Sequence, residues 1–109
     1  MRIQTEICFI EPCDVDGAVT ALRAHSYEID KIDNLMDDEE VGAIFVYASR
    51  DVTAAELTPD VLAATSYSLE VELAGVPRDR WAAGNLVLDE SRRIVARFGG
   101  DPDNAGVPQ

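Results

Sequence analysis

The run Val41-Gly42-Ala43-Ile44-Phe45-Val46-Tyr47-Ala48-Ser49 is the longest apolar stretch of the chain. Its apolar residues stand at consecutive rather than alternate positions, which is typical of a strand that is covered on both faces. Most of its larger side chains are β-branched or aromatic, which favours a strand over a helix, and nine residues are too few to cross a bilayer. This run therefore predicts the central strand of one sheet.

The half of the chain before this run has clear local patterns. Residues 2–10 alternate between polar and apolar side chains, which predicts a half-buried strand. After the break at Glu11-Pro12, apolar residues at helical spacing predict a first helix over residues 14–25. Residues 26–32 predict a short edge strand, and the acidic residues 30–40 predict a mobile loop or a short helical turn.

The half of the chain after the central run predicts a second helix and more strands. Thr53-Ala54-Ala55-Glu56 has the form of a capping box, so we expect a helix within residues 53–65. Residues 66–73 alternate regularly, which predicts a strand, and residues 85–98 predict a β-hairpin with a polar turn. The last residues, 101–109, are rich in turn formers and predict a disordered tail.

The order of these elements predicts the fold class. Helices packed on one face of a mainly antiparallel sheet make an α+β domain. We expect a ferredoxin-like βαββαβ order followed by a C-terminal β-hairpin, in one domain over residues 1–100, with a disordered tail over residues 101–109. Because that fold hosts unrelated functions, it predicts no chemistry by itself.

Charge restricts the classes of partner. Twenty-one acidic residues against nine basic ones give a formal charge of −12. That charge repels phosphate backbones and anionic lipid headgroups, so we expect neither nucleic acid nor a membrane as a partner. It attracts a basic protein or a cation, although excess acid also serves solubility alone. The first residues do not resemble a signal peptide and two cysteines make no disulfide framework, so we expect a cytoplasmic protein.

The candidate binding residues are an acidic group and the single tryptophan. Carboxylates in one loop suit a hard cation such as calcium or magnesium, or the basic patch of a protein partner, or simple solvation. Trp81 suits either an exposed recognition patch or the edge of the core. The candidate residues are Asp30, Asp33, Asp37, Asp38, Glu39, Glu40 and Trp81.

One short motif resembles an enzyme family. Asp14-Val15-Asp16-Gly17 resembles the first motif of haloacid-dehalogenase-type phosphatases, which implies a nucleophilic first aspartate and an acid/base second aspartate. That family places the motif directly after its first strand, whereas Glu11-Pro12-Cys13 intervenes here. The alternative, which we favour, is that both aspartates cap the predicted helix. We assign no catalytic residue, no metal ligand and no cofactor.

Three hypotheses about function follow. The first is a small regulator or immunity-type inhibitor that binds a basic protein and is not an enzyme. The second is a small ligand-binding or enzymatic ferredoxin-like domain, with homodimerisation through an edge strand. The third is a carboxylate metal site within residues 30–40.

Overall fold

A computed structural model describes residues 1–107 of the chain. One antiparallel sheet has the strand order β2-β3-β1-β4, so β3 and β1 are central and β2 and β4 are the edges. The protein is α+β, as the sequence predicts. In chain order the elements are β1 (Arg2–Phe9), α1 (Val15–Ala24), β2 (Glu28–Leu35), β3 (Ala43–Asp51), α2 (Pro59–Ala64), α3 (Leu69–Leu73), α4 (Arg78–Val95) and β4 (Gly100–Gly106), with 3-10 turns at Ala54–Glu56 and Ala96–Phe98.

Strand β1 follows its alternating sequence. Ile3, Thr5, Ile7 and Phe9 are fully buried, while the residues between them are only half-buried. The buried side chains meet α1 and α4 in one hydrophobic core, which also contains Val46, Leu22 and Val87 from three other elements. Both long helices therefore cover the same face of the sheet, and the predicted strand is confirmed.

Strand β3 is the predicted central strand, but its cover differs from the expectation. Val46 and Ala48 are buried on the helix side. Phe45 and Tyr47 alternate with them and lie half-buried on the opposite face of the sheet. The prediction that β3 is covered on both faces is therefore wrong, because α1 and α4 both pack on the face opposite to Phe45 and Tyr47.

Helix α1 begins where its capping residue predicts. The Asp14 Oδ1 atom accepts a hydrogen bond from the Gly17 N–H at 2.9 Å, and the Asp14 N–H donates to the Phe98 carbonyl at 2.9 Å. Asp16 lies in the first turn, where a negative charge suits the helix dipole. The capping interpretation of the Asp14-Val15-Asp16-Gly17 motif is confirmed.

The segment 53–73 contains the 3-10 turn Ala54–Glu56 and the short helices α2 and α3. Glu56 Oε2 accepts the Thr53 N–H at 2.8 Å, which is one half of the predicted capping box, and Thr58 caps α2. The strand expected over residues 66–73 is wrong, because Ser68 caps the short helix α3 instead. The alternating leucines of that segment are not core residues: Leu69 is 67% and Leu73 is 78% exposed.

The hairpin expected over residues 85–98 is also wrong. Most of this segment belongs to α4, an 18-residue helix that runs from Arg78 to Val95. Its buried residues include Ala83, Val87, Ser91 and Val95, which recur every fourth position. Of the charged residues that we interpreted as a turn, Arg92 is exposed on the same helix, whereas Glu90 is half-buried.

The disordered tail expected over residues 101–109 is wrong for residues 101–106, and residues 108–109 lie outside the described part. Gly100–Gly106 forms the edge strand β4, which pairs with β1 and has a bulge opposite Glu6 and Ile7. The Thr5 hydroxyl donates to the Asn104 carbonyl at 3.0 Å. The strand depends on backbone pairing and not on an apolar pattern of its own.

Helix α4 crosses β4 at very short range. An added Cβ atom at Gly84 would lie 2.9 Å from the Ala105 carbonyl oxygen. This is a backbone atom within a paired strand, so it has little freedom to move away. Within residues 1–107, no helix combines the length and the apolar character needed to span a membrane.

The Gly84 contact makes a test of the packing of α4 on β4. Gly84→Val is expected to lower the free energy of unfolding by about 1–3 kcal/mol, because the new side chain pushes the helix off the strand. Gly106→Val is the control, since a Cβ atom at Gly106 meets nothing within 4 Å. Urea denaturation of both variants measures the difference; equal stability would contradict the close crossing.

Candidate functional site

The face of the sheet opposite the helices is the candidate site. It displays the alternate residues of the central strands, among them Gln4, Glu6 and Cys8 on β1 and Phe45 and Tyr47 on β3. Within residues 1–107, these side chains are half-buried and no helix packs on them as in the core. We call this surface, formed by the alternate residues of the strands that point away from α1 and α4, the open face.

Tyr47 is the centre of a polar cluster on the open face. Its hydroxyl donates to Glu6 Oε1 at 3.2 Å, and Lys31 Nζ lies 5.6 Å from the centroid of its ring. Burial and the neighbouring Glu6 carboxylate raise the pKa of the Tyr47 hydroxyl. The tyrosine is therefore a neutral donor with an aromatic ring available for contact.

Cys8 lies beside this cluster and is not activated. Burial raises the pKa of its thiol, and so do the negative charges of Asp103, Asp101 and Glu6. A nucleophilic cysteine needs the opposite shift, because the thiolate is the reactive form. Cys8 thus acts as a small apolar group in the middle of the open face.

The acidic group predicted from the sequence is divided between a strand and a turn. Asp30 and Asp33 belong to β2, where Asp30 Oδ2 accepts a hydrogen bond from Gln4 Nε2 at 3.0 Å and Asp33 pairs with Lys31 Nζ at 3.1 Å. A register shift between Ile29 and Lys31 lets Asp30 and Asp33, three positions apart, lie on the same side of β2. The expectation of a loop over residues 30–40 is wrong for its first half.

The other four predicted acids lie in the turn between β2 and β3. Asp38 Oδ1 accepts the N–H groups of Glu40 at 2.8 Å and Val41 at 3.1 Å, so its carboxylate caps the turn. Asp37, Glu39 and Glu40 are exposed. This turn therefore projects negative charge beyond the end of the sheet.

The hypothesis of a carboxylate metal site requires at least three of the six predicted carboxylates to lie close together. Within residues 1–107, no group of three or more histidine, cysteine, aspartate or glutamate side chains is arranged to hold a metal ion. Asp30, Asp33 and Asp38 each bind a different protein group, as described above.

Most of the net charge of the protein lies on one side. We define the acidic face as the open face of the sheet, its edges and the β2–β3 turn. It holds eleven acidic and two basic residues, a formal charge of −9, whereas the remaining ten acidic and seven basic residues give −3. The acids are Glu6, Glu28, Asp30, Asp33, Asp37, Asp38, Glu39, Glu40, Asp51, Asp101 and Asp103, and the bases are Arg2 and Lys31.

Trp81, the other predicted site residue, lies away from the acidic face. It belongs to α4 on the helix side, where it is half-buried and its indole N–H donates to the Ser66 carbonyl. One face of the indole also borders a pocket between α4 and β4.

Sequence analysis missed a buried cluster around Arg50 at the end of β3. Arg50 is only 7% exposed, and its guanidinium binds Glu90 through two bonds of 2.9 and 3.1 Å. A second carboxylate, Glu56, lies 2.9 Å from the same guanidinium, and the Tyr27 hydroxyl donates to Glu90 at 2.7 Å. The cluster joins β3, α4, the start of β2 and the turn before α2.

The charges in this cluster are fixed by one another. Burial lowers the pKa of Arg50, but hydrogen bonds to Glu56 and Glu90 outweigh it and raise the pKa above its ordinary value. Burial, followed by the Glu90 carboxylate, raises the pKa of Tyr27. Because each charged group of the cluster binds another member of it, the cluster holds β3, α4 and the neighbouring segments together. The capping box drew attention to Glu56, but no local pattern indicated that Arg50 and Glu90, forty positions apart, would pair.

Comparison with known proteins adds no relative. No protein-family model, no curated protein and no solved structure matches the chain. Function is therefore inferred from the arrangement of its own side chains.

The Arg50 cluster predicts a pH dependence of stability. The hydrogen bond from Arg50 lowers the pKa of Glu56 below its ordinary value of 4.5. A carboxylate with a lowered folded-state pKa stabilises the fold above its unfolded-state pKa, and this stabilisation is lost as the pH falls through the folded-state value. The stability difference between the wild type and Glu56→Gln is therefore expected to be full near neutral pH and to shrink below about pH 4.5.

Chemical denaturation at a series of pH values measures this difference. Glu72→Gln is the matched control, because Glu72 is exposed and has no side-chain partner among the described residues. Its stability is expected to stay within about 0.5 kcal/mol of the wild type throughout. A difference for Glu56→Gln that does not vary with pH would contradict the ion pair.

Proposed function

We propose that this protein binds a basic protein through its acidic face, and acts as a regulator or an immunity-type inhibitor of that partner. The observation that carries the proposal is the concentration of negative charge, −9 of a total of −12, on the open face of the sheet, its edges and the β2–β3 turn. A charge spread evenly for solubility would not favour one face in this way.

The composition of the face also supports a protein partner. Phe45, Tyr47 and Cys8 form an apolar patch in the middle of the sheet, and Leu35 extends it as a 39% exposed side chain. Carboxylates surround this patch. Protein interfaces commonly have an aromatic or apolar centre and a polar rim, and aromatic residues contribute much of the binding energy.

The carboxylates would act chiefly on the rate of association. Charges at the rim of an interface steer the partner during diffusion, and their effect weakens with salt because the Debye length is about 8 Å at physiological ionic strength. The same field repels phosphates, so nucleic acid remains excluded from the proposal. A reducing compartment such as the cytoplasm suits the free thiols of Cys8 and Cys13.

We also propose a ferredoxin-like arrangement for the fold. The strand order β2-β3-β1-β4 and the position of α1 and α4 on one face support it. In this view the order β1-α1-β2-β3-α4-β4 is the basic unit, and the short helices α2 and α3 are an insertion before α4. The open face of such a sheet is then the surface available to a partner.

A photo-crosslinking experiment tests the proposed function. Phe45 is replaced by p-benzoylphenylalanine, and the protein is illuminated in an extract of its native cells at low ionic strength. We expect capture of a basic protein, with several-fold less product at high salt. The double variant Asp30→Asn, Asp33→Asn, made in the same photoactive protein, is expected to reduce capture in the same way.

A charge-matched variant gives the control. Asp60→Asn with Glu70→Gln removes two exposed carboxylates from the short helices α2 and α3 and is expected to leave capture unchanged. The proposal fails if both double variants reduce capture equally, if salt has no effect, or if the captured protein is acidic or is a second copy of this chain.

A further inference from the structure

Helix α3 presents two leucines to its surroundings. Leu69 and Leu73 are 67% and 78% exposed, the two largest exposed fractions among the large apolar side chains of residues 1–107. They stand one turn apart and therefore lie on one face of α3, while Val71 on the other face is half-buried. Single exposed leucines are common, but two on one helical face form a continuous apolar surface, which marks a contact site. We call Leu69 and Leu73 the leucine ridge.

The leucine ridge belongs to a segment that is anchored to α4. The Tyr67 hydroxyl donates to the Val76 carbonyl, and the Trp81 indole N–H donates to the Ser66 carbonyl. The guanidinium of Arg78 lies 4.7 Å from the centroid of the Tyr67 ring. The residues before α3 are thus joined to those after it and to α4. Because the ridge is already held in place, little conformational entropy is lost when it binds.

An apolar pocket begins at the residues that follow α3. It has a volume of about 500 Å³ and lies between the N-terminal half of α4 and residues 103–107. This volume is within the range of small-ligand sites, so the pocket has room for leucine side chains. Its apolar lining is supplied by Val76, Pro77, Trp81, Leu88 and Val107. The same molecule therefore carries an apolar ridge and an apolar pocket as neighbours.

We propose that two copies of this chain form a dimer in which the leucine ridge of each copy enters the apolar pocket of the other. Leu73, at the end of the ridge, is only two positions from Gly75, where the pocket begins. Because ridge and pocket are neighbours, one two-fold axis makes both contacts within a single continuous interface. The assembly therefore closes at two copies.

The charges around the two surfaces favour this contact. Glu70 and Glu72 flank the leucines on α3. Arg78 and Arg80 stand at the start of α4, where Arg80 borders the pocket. Within the described residues neither arginine forms a salt bridge. Asp103 lies on the β4 side of the pocket, so the acids of an entering α3 are directed toward the start of α4.

The dimer goes beyond the proposed function and does not depend on it. Ridge and pocket lie outside the acidic face, among residues whose formal charge is only −3, so the net charge of the chain opposes their contact little. The open face of each copy stays uncovered and available to a basic partner. Two leucines from each copy make a small interface, so we expect a dissociation constant on the order of 10–100 µM.

Sedimentation velocity over a range of concentrations tests the dimer on the full chain. Leu73→Asp is expected to raise the dissociation constant at least about tenfold, because a carboxylate replaces the apolar side chain that enters the pocket. Ile10→Asp is the matched control, since Ile10 is 62% exposed and belongs to neither the ridge nor the pocket. Circular dichroism checks that both variants are folded.

Trp81 reports whether the pocket is the site of contact. It is the only tryptophan of the chain and lines the pocket. Acrylamide quenching of its fluorescence is expected to decrease as the wild type associates, because the entering leucines shield the indole. The same concentration series is expected to leave quenching in Leu73→Asp unchanged.

Exchange of the charges tests the reciprocal arrangement. One chain carries Glu70→Arg with Glu72→Arg, and a second chain carries Arg78→Glu with Arg80→Glu. Each chain alone is expected to dimerise more weakly than the wild type, because like charges then meet at both contacts. An equimolar mixture is expected to recover association, since α3 of each chain meets an opposite charge on the other. Both chains remain net negative, so general attraction does not explain recovery.

Three results would overturn the inference. They are a wild type that stays monomeric up to about 1 mM, a dimer that persists unchanged in Leu73→Asp, and a charge-exchanged mixture that associates no better than its separate chains. Each of these results leaves the proposed function untouched, because photo-crosslinking at Phe45 reports on the open face. Conversely, failure to capture a basic protein at Phe45 leaves the dimer to be decided by sedimentation.

Discussion

The structure depends on the packing of α4 and α1 on a single face of the sheet. The crossing at Gly84, where the helix backbone meets the Ala105 carbonyl, brings α4 against β4 and β1, so that both long helices lie on one face of the sheet. Side chains on that other face are therefore in contact with water, which accounts for the carboxylates there. Phe45 and Tyr47 remain as a partly exposed apolar centre. The one-sided core thus determines both the stability of the domain and the position of its open face.

The Arg50 cluster supports this arrangement from one end. A buried guanidinium is costly to desolvate, and it is stable here because Glu90 and Glu56 hold it with short bonds. The cluster fixes where α4 lies along β3, and so also where Trp81 and Leu88 lie beside β4. Structural charges on the helix side are paired in this way, while the acidic face keeps a large excess of unpaired carboxylates. The paired charges of the Arg50 cluster join elements of the fold, whereas the excess carboxylates of the acidic face produce a negative electrostatic field.

Local sequence patterns were sufficient where the chain's own periodicity or capping decides its structure. The alternation of β1, the Asp14 cap of α1 and the apolar run of β3 were all predictable. The errors lie in the last third. In α4, apolar runs separated by charges imitate two strands, and only burial at every fourth residue shows the helix. In β4, glycine, proline and asparagine indicate a tail, while pairing with β1 makes a strand. The sequence shows the acids of residues 30–40 as a group, but their positions in the fold, and the distant partners of Arg50, depend on tertiary contacts.

The central claim is that the open face of the sheet carries the protein's negative field. Paramagnetic relaxation of amide protons by a positively charged nitroxide, compared with a neutral nitroxide of the same size, measures that field residue by residue at low ionic strength. We predict excess relaxation by the cation at β1, β2, β3 and the β2–β3 turn, with little excess on the exposed side of α4 and with loss of the difference in salt. An equal excess over both sides, or none at the open face, would contradict the account.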